Sequence, residues 1–258
     1  MEFSNDLGRL QRLVALSSAG ISRRQAILKK LIINPNDKII DIGCGAGDLL
    51  IHLAKAIDSG GHVYGLDPSE DQISNASIKC TEFNNITFLK SNADKIDLSD
   101  NTCNVATSTQ TFEYIKNVDD ALRETKRILK SGAYFINISV LWDYFGFYGA
   151  EKKLNEKIHD AFKAHCSHQM LPMELPGKLS NLGFTNIKNK SLSFVITHRD
   201  QNSPAKFAED VIALFVKSQG ISETEVNDWK EQINRAEKEG RFGFTSFPVL
   251  TEAFLNKI

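Results

Sequence analysis

The stretch Lys38–Leu49 constrains the fold more than any other part of the chain, because it joins an apolar run to a glycine-rich turn and a helical pattern. The run Ile39–Ile42 predicts a short buried strand, and the apolar spacing from Leu49 to Ile57 predicts a helix. Between them, glycines occupy alternate positions: Gly43, Gly45 and Gly47. Glycine allows positive φ and lets a ligand touch the main chain, while the helix N-terminus points free N–H groups at the turn. The unit predicts an α/β protein with a ligand at this turn; glycines with a structural role alone are the alternative.

The spacing of the glycines separates two ligand classes. A dinucleotide-binding turn reads Gly-x-Gly-x-x-Gly, whereas here the third glycine comes one residue early and Asp48 occupies the dinucleotide position. An acid, Asp41, also precedes the first glycine. Acid-x-Gly-x-Gly-x-Gly resembles the first motif of class I S-adenosylmethionine (SAM)-dependent methyltransferases. An NAD-dependent oxidoreductase is the interpretation that this spacing opposes.

Three later stretches extend the resemblance over residues 36–140. Ser91–Asn101 is similar to the family segment that holds adenine, which implies that Asn92 and Ala93 contact the ring. Thr109–Tyr114 resembles the family's Ser-x-x-Leu-Glu-His, and Arg127–Ala133 resembles its Arg-x-Leu-Lys-Pro-Gly-Gly turn. The layout is closest to the ubiquinone/menaquinone-biosynthesis-like group, which methylates small molecules.

Asp67 is the second predicted anchor of the cofactor. It ends a predicted strand and lies 20 positions after Gly47, close to the spacing at which an acid holds ribose in doubly wound folds. A carboxylate can accept from both ribose hydroxyls; a place beside a helix N-cap is its alternative role. The predicted cofactor-binding residues are Asp41, Gly43, Cys44, Gly45, Gly47, Asp67, Pro68, Gln72, Asn92, Ala93, Asp94, Thr109 and Gln110.

Alternating strand and helix patterns predict an α/β fold, a doubly wound parallel sheet with helices on both faces. The resemblance implies that this sheet is seven-stranded and mostly parallel, a Rossmann-like methyltransferase fold with its last strand antiparallel. We expect one domain, 1–258, with a helical cover over 1–34, a SAM-binding core over 36–140, and helical lid insertions over 141–172 and 198–240. The sixth strand is predicted over Asn186–Ile196 and the last over Gly243–Leu255.

The acceptor side is less defined by sequence. Aromatic residues in 141–171 predict a lid that excludes water over an apolar acceptor; completion of a core, or a contact between two copies of the chain, is the alternative. A general base is needed only if the acceptor carries a proton, and the candidates are His165, His168, Tyr144 and Glu113. His165, Cys166 and His168 have a spacing that metal sites use, but zinc needs further ligands, so we predict no metal.

Composition limits the partners. The formal net charge is −1 and the pI about 6.6, which disfavours nucleic acid. Four cysteines without a C-x-x-C pair, and a start without a secretion pattern, predict a cytoplasmic protein without a membrane span. The hypothesis is O- or C-methylation of a small molecule by SAM through in-line displacement. Departures from the family pattern at Asn92, Tyr114 and Ser131 leave a non-catalytic SAM-binding scaffold as the alternative.

Overall fold

A seven-stranded sheet forms the centre of the protein. The computed structural model describes residues 5–57, 60–200 and 202–257, so the first four residues of the predicted cover lie outside it. Strands β6 (Gly146–Tyr148), β8 (Phe194–Ile196) and β9 (Gly243–Ser246) lie outside this sheet. The strands of the seven-stranded sheet are β1 (Lys38–Ile42), β2 (His62–Leu66), β3 (Ile86–Leu89), β4 (Cys103–Thr109), β5 (Leu129–Val140), β7 (Phe184–Ser191) and β10 (Pro248–Leu255). Their order is β3-β2-β1-β4-β5-β10-β7. Strand β10 is antiparallel to both its neighbours, and the other neighbouring pairs are parallel. The predicted fold class is confirmed.

Helices cover both faces of this sheet. The described helices are α1 (Asn5–Leu16), α2 (Ser18–Leu28), α3 (Leu50–Ala56), α4 (Glu70–Lys79), α5 (Val118–Ile128), α6 (Lys152–Lys163), α7 (Leu171–Asn181), α8 (Pro204–Ser218) and α9 (Glu223–Lys238). Those that pack into the apolar clusters of this sheet are α2, α3, α4, α5 and α7. Leu122 of α5 and Leu175 of α7 pack into one apolar cluster, and Ile27 of α2 with Leu53 of α3 pack into another. Burial of these apolar faces holds the helices on the sheet.

A second, smaller sheet carries the C-terminal helices. It consists of β6 (Gly146–Tyr148), β9 (Gly243–Ser246) and β8 (Phe194–Ile196), in the order β6-β9-β8. Helices α6, α8 and α9 pack against it around buried residues that include Trp229 and Phe244. A capping box starts α9, in which Ser222 and Glu225 satisfy each other's backbone N–H groups.

Two strand predictions were wrong in extent. Asn186–Ile196 was predicted as one strand but divides into β7 and β8, and Gly243–Leu255 divides into β9 and β10. In each case the first and second halves pair in different sheets. Pro248, which lacks a backbone donor, starts β10 directly after the break at Phe247.

Among the described residues, no helix combines the length and the apolar character needed to cross a membrane. All four cysteines are free thiols.

Candidate active site

The glycine turn after β1 brings main chain to the surface of a cavity. Gly43 has φ of 75° and Gly45 has φ of 52°, a region that glycine adopts at low cost. A Cβ on Gly43 would lie 2.0 Å from Oγ1 of Thr111, so the turn also packs tightly against the loop after β4. At Gly45 the nearest atom to such a Cβ is Nε2 of Gln11, 3.8 Å away. Gly45 therefore faces open space that a ligand can occupy.

Asp67 is fixed beside this turn by two backbone donors. Gly45 N–H donates to Oδ2 and Ser69 N–H donates to Oδ1, each at 3.0 Å. Burial raises the pKa of Asp67, and these two hydrogen bonds oppose that rise. Each carboxylate oxygen keeps a further lone pair for a ligand hydroxyl.

A cavity of about 740 Å³ opens next to Asp67. Residues from the carboxyl ends of four parallel strands, β1 to β4, meet there, as expected for a ligand site in an open α/β sheet. It is lined by these predicted site residues: Gly43, Asp67, Pro68, Asn92, Ala93, Asp94, Thr109 and Gln110. We call it the nucleoside cavity.

A second cavity, of about 110 Å³, lies over the glycine turn. We call it the turn cavity; its lining includes Asp41, Cys44, Gly45 and the guanidinium-bearing Arg23. Thr107 Oγ1 donates to Asp41 Oδ1 at 2.8 Å. Burial raises the pKa of Asp41 to about 7, an effect that the Thr107 bond opposes and nearby Asp67 reinforces. A cationic group placed here would restore the charge of Asp41.

Arg23 is a site residue that the sequence analysis missed. Its side chain is 7% exposed, and it lines the turn cavity and the aromatic cavity described next. Burial lowers its pKa to about 10, and no hydrogen bond or ion pair joins it to another described residue; Glu113 and Tyr114 act on it through space. One signal was available: Arg23 precedes Ile27 by four residues, which places it on the buried face of α2. A buried cation in this state favours an anionic ligand group.

The third cavity, of about 100 Å³, is walled by aromatic rings. We call it the aromatic cavity, and the rings that line it are Tyr114, Trp142, Phe145, Phe162, His165, Phe194 and Phe244. They come from the loop after β4, from the segment after β5 and from the small sheet. The predicted lid segment 141–172 thus supplies four of these side chains.

Gln110 and Gln11 border all three cavities. Gln110 follows β4 and has φ of 50°, an unusual value for a residue with a side chain. Its N–H donates to Ile138 O at 2.7 Å, which holds this conformation. The geometry places Gln110 where a ligand in one cavity would meet a ligand in the next.

The four base candidates lie in different surroundings. His165 lines the aromatic cavity and is 2% exposed. Tyr144 is 55% exposed and lines an outer cleft with Glu156 and His159, outside all three cavities. His168 bonds the Ile115 carbonyl through Nε2 at 3.1 Å.

Glu113 is fully buried and lines none of the three cavities. Ser139 Oγ donates to Oε2 at 2.8 Å, and Val140 N–H donates to Oε1 at 3.3 Å. Burial raises the pKa of Glu113 to about 7. These contacts tie the loop after β4 to the end of β5, which is a structural role.

Two predicted cofactor residues support the site from behind. Gln72 is 1% exposed and donates to Gln11 Oε1 at 2.6 Å, without lining the three cavities. Gly47 packs against Ala76 of α4, at 3.1 Å from a Cβ placed on it.

Within the described ranges, no three His, Cys, Asp or Glu side chains converge to hold a metal ion.

Comparisons with known proteins agree with this architecture. The chain is 31% identical over 130 residues to a ubiquinone/menaquinone biosynthesis C-methyltransferase of Rickettsia prowazekii, a match over 45% of this chain and 52% of that protein. It is 28% identical over 142 residues to a demethylmenaquinone methyltransferase of Staphylococcus haemolyticus, over 52% of this chain and 55% of that one. The chain therefore spans about half the length of these curated relatives. The crystal structure of YcgJ from Bacillus subtilis shares the fold, with a TM-score of 0.66 and 15% identity over 92% of this chain and 100% of that one.

A family model described as a methyltransferase domain matches residues 33–238. This range includes the glycine turn, Asp67, Gln110 and the aromatic lid segment. Because the match extends over more than half of the sequence, the chain belongs to the methyltransferase domain family.

Proposed function

We propose that this protein binds SAM and catalyses transfer of its methyl group to a small-molecule acceptor. The observation that carries the proposal is the meeting of the nucleoside, turn and aromatic cavities at Gln110. A nucleoside bound in the first and an amino acid in the second would present their shared sulfur beside the third.

The chemistry of the lining matches SAM group by group. Asp67 has free lone pairs for ribose hydroxyls, and Asn92 with Ala93 would hold adenine. In the turn cavity, Asp41 suits the ammonium of the methionine part and Arg23 suits its carboxylate. Bound SAM supplies a methyl group already activated by a sulfonium, and the electron pair of the broken bond stays on sulfur.

The chain's own residues then orient the acceptor and exclude water. The rings of the aromatic cavity form an apolar wall around the space next to Gln110. Holding two reactants in line within such a site supplies much of the acceleration, and dry surroundings strengthen the remaining electrostatic interactions. Names of the relatives support the reaction type, since both curated proteins are methyltransferases and one is a C-methyltransferase.

The net charge of the protein and its free cysteines support a choice of acceptor class and of cellular compartment. A net charge of −1 supports a small acceptor over nucleic acid. Four free cysteines support a reducing compartment, and we propose the cytoplasm.

Two measurements test the proposal. Calorimetry should show binding of SAM and of its demethylated product, with no binding of NAD; binding of NAD alone would overturn the assignment. Tritium from methyl-labelled SAM should then enter a product when the protein is incubated with an extract of small metabolites. Tight SAM binding without labelled product in any extract would favour the scaffold alternative.

A further inference from the structure

The aromatic cavity contains one charged side chain among its described lining residues, Arg23. Under the proposed function, the methionine carboxylate of SAM uses that guanidinium. His165 adds no charge near neutral pH, because burial lowers its pKa to about 4. Within the described chain, the lining then holds no cation for a phosphate and no carboxylate for an amine. An acceptor that fits here is uncharged.

The hydrogen bond of His165 fixes its tautomer. Nδ1 lies 2.7 Å from the Phe162 carbonyl oxygen, which can only accept, so the proton is on Nδ1. Nε2 therefore carries a bare lone pair. This atom is buried and has no hydrogen-bond partner among the described residues.

Trp142 provides the complementary group. Its Nε1–H is also buried and has no acceptor among the described residues. The Trp142 and His165 rings meet edge to face with centroids 4.3 Å apart, and His165 stacks on Phe162 with centroids 4.1 Å apart. The two rings are neighbours, and both residues line the aromatic cavity as well as the outer cleft. An unsatisfied donor and an unsatisfied acceptor on adjacent rings are a costly arrangement that a ligand hydroxyl can relieve.

We propose that the acceptor is an uncharged, compact, apolar molecule with a hydroxyl group, and that Trp142 and His165 recognise this hydroxyl. A hydroxyl can accept from Trp142 Nε1–H while it donates to His165 Nε2, which satisfies both atoms with one group. Trp142 and His165 are then positioning residues that set specificity. This inference rests on the proposed function, because it assigns Arg23 to the cofactor.

The volume agrees with a compact ligand. The cavity measures about 100 Å³, which is less than the ~150 Å³ of an apolar cavity that holds benzene, so a single ring fills it and extends toward the neighbouring cavities at Gln110. A ring with one hydroxyl is therefore the simplest probe of suitable size, and para-cresol and toluene form a pair that differs only in that hydroxyl.

The experiment measures binding of these two probes by calorimetry in the presence of saturating demethylated cofactor. We expect para-cresol to bind about tenfold more tightly than toluene, which is the size of one or two net hydrogen bonds. Trp142→Phe removes the indole N–H, and His165→Phe removes both Nε2 and the Nδ1 that bonds the Phe162 carbonyl. Each variant keeps a ring, so each should reduce this ratio to about threefold or less while toluene binding stays within about twofold. Tyr144→Phe, which removes a hydroxyl in the outer cleft, is the matched control and should keep the full ratio.

Charged analogues complete the test. The anion para-hydroxybenzoate and the cation tyramine should each bind at least about tenfold more weakly than para-cresol. Equal binding of para-cresol and toluene by the unmodified protein, or preference for either charged analogue, would overturn the inference. If His165→Phe does not fold, Trp142→Phe alone decides.

The two proposals fail in different measurements. Absence of SAM binding, together with a para-cresol preference that both variants remove, would defeat the proposed function and leave hydroxyl recognition standing. Methyl transfer to a charged acceptor would defeat only the inference about the acceptor.

Discussion

Replacement of Asp67 by asparagine tests the cofactor site most directly. The carboxylate accepts from Gly45 and Ser69 N–H at 3.0 Å each and keeps one lone pair per oxygen for the ribose. An asparagine has one carbonyl oxygen and one amide donor. Whichever way the amide turns, a donor replaces an acceptor at one of the two oxygen positions, and the negative charge is lost.

The expected loss of SAM affinity follows from the one acceptor that Asp67→Asn removes. One hydrogen bond to a charged acceptor contributes about 1.5–3 kcal/mol, so the Kd for SAM should rise about 10- to 150-fold. Asp67→Asn should also lower the free energy of unfolding by about 1–3 kcal/mol, because a buried N–H loses its partner. Asp67→Ala should cost more in both quantities, since both N–H groups lose their acceptor.

Calorimetric titration with SAM gives the affinity, and urea denaturation without ligand gives the stability. Asp97→Asn is the matched control, because Asp97 is exposed and does not line the nucleoside cavity; it should leave both quantities unchanged. If Asp67→Asn binds SAM within twofold of the unmodified protein, Asp67 is not a ligand of the cofactor and the reasoning is refuted.

Three further predictions concern the turn and its neighbours. Gly45→Val should abolish SAM binding in calorimetry, because the valine side chain would enter the turn cavity. The control is Gly132→Val, which imposes a similar backbone strain (φ of 82°) where no atom lies within 4 Å of the new Cβ, and which should still bind SAM. Equal binding by the two variants would contradict the prediction. Asp41→Asn should gain stability relative to the unmodified protein as the pH rises from 5 to 8, by about 2.5 kcal/mol. Burial raises the pKa of Asp41 from 3.8 to about 7, so the stability that protonated Asp41 contributes is lost as the pH rises through 7. Urea-denaturation stabilities of the two proteins that change in parallel with pH would refute this prediction. Gln110→Gly should be about 1 kcal/mol more stable to urea than Gln110→Ala, since only glycine adopts φ of 50° without cost, and an alanine variant of equal or greater stability would contradict this.

The sheet and the glycine turn were predictable from sequence because local patterns determine them. Strands β1, β2 and β4 are apolar runs followed by turn signals, and their parallel arrangement follows from the chain's alternation of strand and helix. The small sheet was not predictable in the same way. The pairing of β9 with β6 and β8 joins segments far apart in sequence.

The site was predictable to the extent that it lies on the ends of those strands. Asp67, Asn92 and Gln110 line cavities because each follows a core strand. Arg23 of α2 reaches the turn and aromatic cavities, and Gln11 of α1 reaches all three cavities. Both helices precede the core, and α1 packs on α2 and α8. Trp142 Nε1 and His165 Nε2 lack a hydrogen-bond partner among the described residues because of neighbours from several segments, which no single stretch of sequence reveals.

The position of α1 has a kinetic consequence. Gln11 of this helix borders all three cavities, and Arg12 pairs with Asp71 at 2.8 Å, so α1 is fastened across the site to α4. Under the proposed function, we expect α1 to move before the spent cofactor leaves, so that the Arg12–Asp71 ion pair lengthens the residence time of the product. Breaking the Arg12–Asp71 ion pair would shorten that residence time, and it would speed turnover where product release, not methyl transfer, is the slow step.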